Sequence, residues 1–365
     1  MSQFLNKYLL ALNLLVIYTV VLFIIAPHFR HSTRVLYFNN LDLNTVSEPL
    51  NSKVTDQEQN KAWIVDRQWM LLKVSSAKTE YYTNDRKSLF LRSIINTLYK
   101  FQFLGSYIIP NGEYVIDFVD EVKDETYWPL MSFSSTRELV AKEQVVLMPD
   151  FEAANGYKPL FGHIDYEINN FPWESKIPKI FFRGSATGST PEITNIYDVP
   201  RIKFLELTKN ISFVDAGLSS YTEWQWNAKA LAELKTKFAL KDFVKPDASL
   251  RYKYLLDING NSCSLSRMAW ILYSNGLLMK QQSNKVQWYY DQLLPYVHYL
   301  PIAEDFSNLQ QQYDWAESHQ AEVIAMTRNA NKLATQVFSE AAVDMATVDA
   351  FKRYKRIVAK RKDVR

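Results

Sequence analysis

The chain is poor in the residues that mark the commonest kinds of functional site. It has one cysteine, Cys263, in 365 residues, so no intramolecular disulfide can form. That excludes a disulfide-stapled secreted domain and favours a reducing compartment. Its five histidines (His28, His31, His163, His298 and His319) are scattered, and no pair has metal-ligand spacing. There is no G-x-x-x-x-G-K-S/T phosphate loop, no dinucleotide-binding glycine fingerprint and no G-x-S-x-G elbow. Charge of one sign is also missing in bulk, since the net charge is only +3, too little for a nucleic-acid-binding domain. No internal repeat is present.

One long charge-free run is present. "YLLALNLLVIYTVVLFIIAP" (8–27) is 20 residues, about the span of a bilayer, and it ends in Pro27-His28-Phe29-Arg30 rather than in a small-residue cleavage site. It is expected to be a single-pass transmembrane anchor of the inner, cytoplasmic membrane. Lys7 lies on one side and Arg30 and Arg34 on the other, a slight bias that, with the missing disulfides, places the following domain in the cytoplasm. Residues 28–60 are polar without periodicity and read as a stem.

Beyond the stem the composition is globular: 47% hydrophobic and 22% charged, with 14% aromatic residues best assigned to core packing. The length favours two cores over one. "NDRKSLFLRSIINTLYKFQ" (84–102) puts Leu89, Leu91, Ile94, Ile95 and Leu98 on one helical face. "GEYVIDFVDE" (112–121) alternates like a strand and ends in acid, and "KEQVVLMPD" (142–150) reads as a strand stopped by Pro149. Residues 163–178 read as a crossing between domains. "PKIFFRGSATGST" (178–190) is read as a strand and then a small-residue loop. "DVPRIKFLELTKN" (198–210) is read as a helix capped by Asp198, and "NISFVDAG" (210–217) as a strand. "LLDINGNSCSLSRMAWILYSNGLLMKQ" (255–281) supplies strand, loop, helix and strand. "VHYLPI" (297–302) is a last strand holding His298 in an apolar setting, and helices follow from about Asp305 to Phe338. Strands alternating with helices predict a parallel α/β protein. The domain plan is one α/β domain over 61–170, a second over 171–304 and carboxy-terminal helices with a basic tail over 305–365. That tail, 351–365, has eight basic residues against one acid and is first read as a solvated helix face, with attraction to an anionic membrane surface as the alternative.

Two loops carry the chemistry. Each follows a parallel strand and precedes a helix, the edge where α/β sheets bind ligands and where helix-end N–H groups favour anions. Gly184 and Gly260 are expected to let the backbone turn tightly and approach a bound group. Ser185, Thr187, Ser262, Ser264 and Ser266 add hydroxyls, and Arg183 and Arg267 add guanidinium groups suited to phosphate. Two such loops fit a diphosphate held between them, with no cofactor and no metal. In "QWYYDQLLPYVHYLPI", Trp288, Tyr289 and Tyr290 are read as core.

"PKIFFRGSATG", "RYKYLLDINGNSCSLSRMAW", "NGLLMKQ" and "QWYYDQLLPYVHYLPI" resemble glycosyltransferase family 90, with the likeness covering roughly residues 110–335. The resemblance implies a GT-B architecture of two Rossmann-like domains facing a cleft, the acceptor-side one over 61–170 and the nucleotide-sugar-binding one over 171–304. It also implies an inverting, metal-independent transfer from a UDP-sugar, with the serines, Arg267 and Arg183 around the donor diphosphate. It places the catalytic base, an aspartate, at Asp120. This chain departs from the family pattern around that position, with Val119 before it and Glu121-Val122 after it, so Asp117 and Glu121 stand as alternatives and Asp150 as a further one. Relatives of the endoplasmic reticulum carry several disulfides and a retention tail, whereas this chain has one cysteine and ends in "RKDVR". That points to the bacterial branch and to a lipid-linked or lipopolysaccharide core acceptor at the membrane. The alternatives are a non-catalytic sugar-nucleotide-binding assembly factor and a protein O-glycosyltransferase.

Overall fold

The structure, a computed structural model, describes residues 69–74, 79–83, 94, 97–98, 100, 109–118, 122 and 129–363. The apolar segment 8–27, the stem 28–60, Asp120 and Glu121 lie outside them, and among the described residues no helix is long and apolar enough to cross a membrane. Residues Gln57–Arg365 form one compact unit.

Two five-stranded sheets organise this unit. The first joins β1 (Trp69–Val74), β2 (Thr79–Thr83), β3 (Gly112–Asp117), β4 (Leu130–Ser132) and β6 (Val145–Leu147) in the order β2-β1-β3-β4-β6. It is mixed: β1 runs antiparallel to both β2 and β3, while β3, β4 and β6 are parallel. The alternation read in 112–121 is realised in β3, where Tyr114 and Ile116 are buried and Glu113 is exposed.

The second sheet joins β7 (Ile177–Ser185), β8 (Val214–Ser220), β9 (Tyr252–Asp257), β10 (Leu277–Gln281) and β12 (Leu300–Ile302) in the order β12-β10-β9-β7-β8, all parallel. Parallel strands need cover on both faces, which is why β10 is buried at every position. Successive residues of β7 and β9 point to opposite faces. Phe181 and Leu255 join a core with Leu272 and Ala334, and Phe182 and Leu256 join another with Phe204 and Phe306. From β7 the chain steps out to β8, then returns past β7 to β9, so strand order reverses between β7 and β9. Ligands of open α/β sheets bind at such a switch point, beyond the carboxyl ends of the strands.

A short antiparallel pair, β5 (Ser135–Thr136) with β11 (Lys285–Val286), links the two halves, reinforced by the Arg137 N–H donating to the Asn284 carbonyl at 2.8 Å. The long helix Glu340–Asp363 returns from the second half to the first. Its Phe351 and Tyr354 pack on Tyr114 with ring centroids 4.7 and 5.6 Å away, and the Tyr354 hydroxyl donates to the Pro129 carbonyl at 3.0 Å. Of the apolar face read in 84–102, Ile94 and Leu98 are helical and buried, and Leu89, Leu91 and Ile95 lie outside the described residues.

Three local expectations are corrected. The strand β7 runs on through Ser185, so Arg183, Gly184 and Ser185 belong to the strand end rather than to a loop. Asp198 does not cap the helix Pro200–Thr208. That helix starts with proline, which has no N–H to satisfy, and Asp198 instead accepts from the Asn195 side chain at 3.0 Å. His298 precedes the short strand β12, and its Nδ1 accepts from the Leu294 N–H at 3.0 Å, closing a turn on the surface.

Candidate functional site

At the switch point two arginines, Arg201 and Arg267, converge on Phe182, and a third, Arg183, lies over the neighbouring Phe181. Arg267, second residue of the helix Ser266–Tyr273, donates from Nη2 to the Arg183 carbonyl at 2.8 Å, and its guanidinium lies 4.9 Å from the centre of the Phe182 ring. Arg201, near the start of the helix Pro200–Thr208, donates from Nη1 to the Ser185 carbonyl at 2.9 Å and to Thr187 Oγ1 at 2.6 Å. Its Nη2 donates to the Ile258 carbonyl at 3.1 Å, and its guanidinium lies 5.8 Å from the Phe182 ring. It therefore clamps the ends of β7 and β9 together. Arg183 pairs with Asp215 at 2.9 Å, and Asp215 also accepts from the Tyr252 hydroxyl at 2.5 Å. Burial works against the Asp215 carboxylate, but the bonds from Tyr252 and Arg183 outweigh it and hold its pKa below the usual range.

The glycines serve these guanidinium groups. A Cβ at Gly184 would lie 2.9 Å from Arg267 Nη2, and one at Gly260 would lie 2.3 Å from Thr187 Oγ1 and 2.9 Å from Arg201 Nη2. Among the described glycines only Gly156 and Gly188 have positive φ, so Gly184 and Gly260 provide space for arginine rather than unusual turns. Gly188, at φ +100, donates its N–H to Asn261 Oδ1 at 2.9 Å, tying one loop to the other.

The electrostatics favour an anion. Burial depresses both Arg201, to about 9, and Arg267, and the proximity of Arg267 depresses Arg201 further. Asp257, fully buried at the end of β9, offsets this in part, with Lys280 Nζ 3.7 Å from its carboxylate. A bound diphosphate would relieve the remaining repulsion between guanidinium groups. Beside them a cleft, partly open to solvent, is lined by Phe181, Phe243 and Trp270 together with Arg183, Ser266 and Arg267. That mixture of aromatic walls and few polar groups suits a nucleotide.

The serines divide. Ser266 presents its N–H, which Glu152 Oε2 accepts at 2.7 Å, so a carboxylate from the first half sits on the helix amino terminus. Ser262 turns its hydroxyl to the Cys263 carbonyl at 3.0 Å, while Ser264 Oγ is buried without a hydrogen-bond partner. Thr187 and the Ser185 carbonyl are taken by Arg201. Tyr289 and Tyr290 are buried in the core, with Tyr289 edge-on to Phe338 at 5.0 Å.

The facing edge, at the carboxyl ends of β3 and β6, is acidic. Asp117 is the last residue of β3 and is buried. Asp150 follows β6 and caps the helix Phe151–Asn155, its Oδ1 accepting from the N–H groups of Glu152 at 2.9 Å and Ala153 at 3.0 Å. Burial raises Asp150 to about 6. Arg201, Asp257 and Glu152 were not singled out from the sequence. Asp257 had a visible signal, an acid closing an apolar strand before Gly260, whereas Arg201 reads as an ordinary helix residue.

A profile of glycosyl transferase family 90 matches residues 115–365, and the chain belongs to that family. Protein O-glucosyltransferase 2 of Danio rerio is 23% identical over 48% of this chain and 33% of its own length. Protein O-glucosyltransferase 1 of Mus musculus is 31% identical over 39% of this chain and 32% of its own. The match thus spans about a third of the length of these curated relatives. Among solved structures, TarM aligns over 50% of this chain and 37% of its own, at 16% identity and a TM-score of 0.33, a likeness too loose to build on.

Proposed function

We propose that the protein transfers a sugar from a UDP-sugar to a hydroxyl of a cell-surface glycan, lipopolysaccharide core in particular, with inversion at the anomeric carbon. The observation that carries this reading is the arginine cluster at the switch point. Arg267 and Arg183 bear on the diphosphate, and Arg201 holds the two strand ends in register beneath them. Phe243 and Trp270 offer flat surfaces to the nucleoside. The two sheets with facing carboxyl edges support a GT-B arrangement in which the acceptor enters from the acidic side.

In the transfer, a carboxylate of the first sheet's edge takes the proton of the acceptor hydroxyl as its oxygen bonds to the anomeric carbon. The bond from that carbon to the diphosphate oxygen breaks, and the charge left on UDP is held by guanidinium groups and helix-end N–H groups, the work a metal does elsewhere. Asp120 is the proposed base, with Asp117 and Glu121 as alternatives. Asp150 is committed to a helix cap, which weakens it for this role. The chain is proposed to act at the cytoplasmic face of the inner membrane, tethered through residues 8–27.

The names of the relatives favour a second reading, a protein acceptor. Offering UDP-sugars with lipopolysaccharide core oligosaccharides and, separately, folded protein domains to the full chain in detergent separates the two. Transfer to core acceptors in chelator supports the first reading, and transfer to protein domains alone replaces it. UDP binding without turnover on any acceptor favours a binding module.

A further inference from the structure

The helix Glu340–Asp363 has two unlike sides. Phe351, Tyr354 and Ile357 are buried against the first half, whereas Lys352, Arg353, Lys355 and Arg356 are all exposed. At 100° per residue these four cations fill the arc opposite the buried three. Lys352 lies 3.8 Å from the exposed Asp349, and the next cation along, Lys360, pairs with Glu143 at 3.1 Å. Residues 351–365 hold eight of the chain's 42 basic residues and one of its 39 acids. The remaining 34 basic and 38 acidic residues make the other 350 positions net −4, so positive charge is segregated onto this segment. A merely solvated helix would be expected to intersperse both signs.

We propose that this face of the helix Glu340–Asp363 docks on an anionic lipid surface. A membrane is favoured over a nucleic acid by the remainder of the chain, whose net negative charge would repel a polyanion that followed the protein surface. A planar bilayer meets only the outward face. The 20-residue charge-free run at 8–27 is long enough to keep the chain at a bilayer. Clustered cations beside an anionic leaflet are attracted within about a Debye length. Because this helix packs on β3, β4 and β6, docking would fix how the first half faces the membrane. The inference does not rest on the chemistry at the arginine cluster.

The test uses the full chain with Ala359→Cys, an exposed position on the same face, carrying an environment-sensitive fluorophore. The native thiol of Cys263 is buried, and unsubstituted chain controls for its labelling. The chain is reconstituted into phosphatidylcholine vesicles with and without phosphatidylglycerol. The proposal predicts a blue shift in the anionic vesicles only, abolished at about 1 M salt, where the Debye length is about 3 Å. It also predicts loss of the shift in R353Q/K355Q/R356Q, exposed changes that leave the fold intact. Equal spectra in both lipids would overturn it, as would a shift that survives the triple substitution. A shift with RNA but not with anionic vesicles would overturn it in favour of a nucleic acid. None of these outcomes depends on whether sugar is transferred.

Discussion

The two sheets present edges of opposite charge. At the ends of β7 and β9 stand Arg183, Arg201 and Arg267, packed on Phe181 and Phe182 and bonded to backbone carbonyls. At the ends of β3 and β6 stand Asp117 and Asp150, with Glu152 just beyond. The cationic edge is rigid because each guanidinium is fixed by carbonyls that cannot move independently of the strands. The acidic edge is partly engaged in capping its own helix and, through Glu152, the helix of the other half. The difference suits a transfer in which one edge must hold a leaving diphosphate still while the other accepts a single proton.

The largest expected effect tests the cationic edge. Arg267→Ala should lower transfer by about 10²–10³-fold, the usual cost of removing one donor to developing charge. UDP affinity, followed by titration calorimetry, should fall with it. At the proposed base, Asp120→Asn should abolish transfer yet leave UDP affinity within about twofold, the split expected if base and diphosphate site are separate. Next in size, Arg201→Leu strips the donor from the Ser185 and Ile258 carbonyls and should cost about 2–3 kcal/mol in urea unfolding.

Glu152→Gln probes the point where the edges touch. Its charge on the Ser266 N–H occupies the helix end that a phosphate would use, so the variant should lose about 1 kcal/mol of stability and bind UDP more tightly. The smallest effect concerns pH. Burial raises Asp150 from 3.8 in the unfolded chain to about 6. Its contribution to stability is therefore complete below the lower value and lost as pH rises through about 6. Asp150→Asn should flatten that part of the urea-midpoint profile, leaving wild type relatively more stable near pH 5 than near pH 7.5.

Much of the second sheet was legible in the residues. Apolar runs such as Tyr254–Leu256 and Leu277–Met279 carry a strong strand signal because both faces of a parallel strand are buried. The polar stretches after them marked where the strands end at the switch point. The strand ends were less visible: β7 continues through Gly184 and Ser185 because it pairs with β8 up to Ser220, a tertiary effect outside local propensity. Arg201 could not be found because its role depends on β7 and β9 closing over it from 16 and 57 residues away. Gly184 and Gly260 were read as places for a tight turn and a bound group, whereas what approaches them is guanidinium from the chain itself. In the first sheet the antiparallel β1 was not foreseen, since β1 and β3 are joined by a long connection and no hairpin signal links them.

The most direct test of the central claim is a calorimetric titration of UDP into the full chain in chelator, wild type beside Arg267→Ala, with thermal unfolding as a check on folding. The account predicts saturable binding to wild type and its loss in a variant that still unfolds cooperatively. Equal binding of UDP to both proteins would contradict it, because the diphosphate would then lie somewhere other than the arginine edge of β7 and β9.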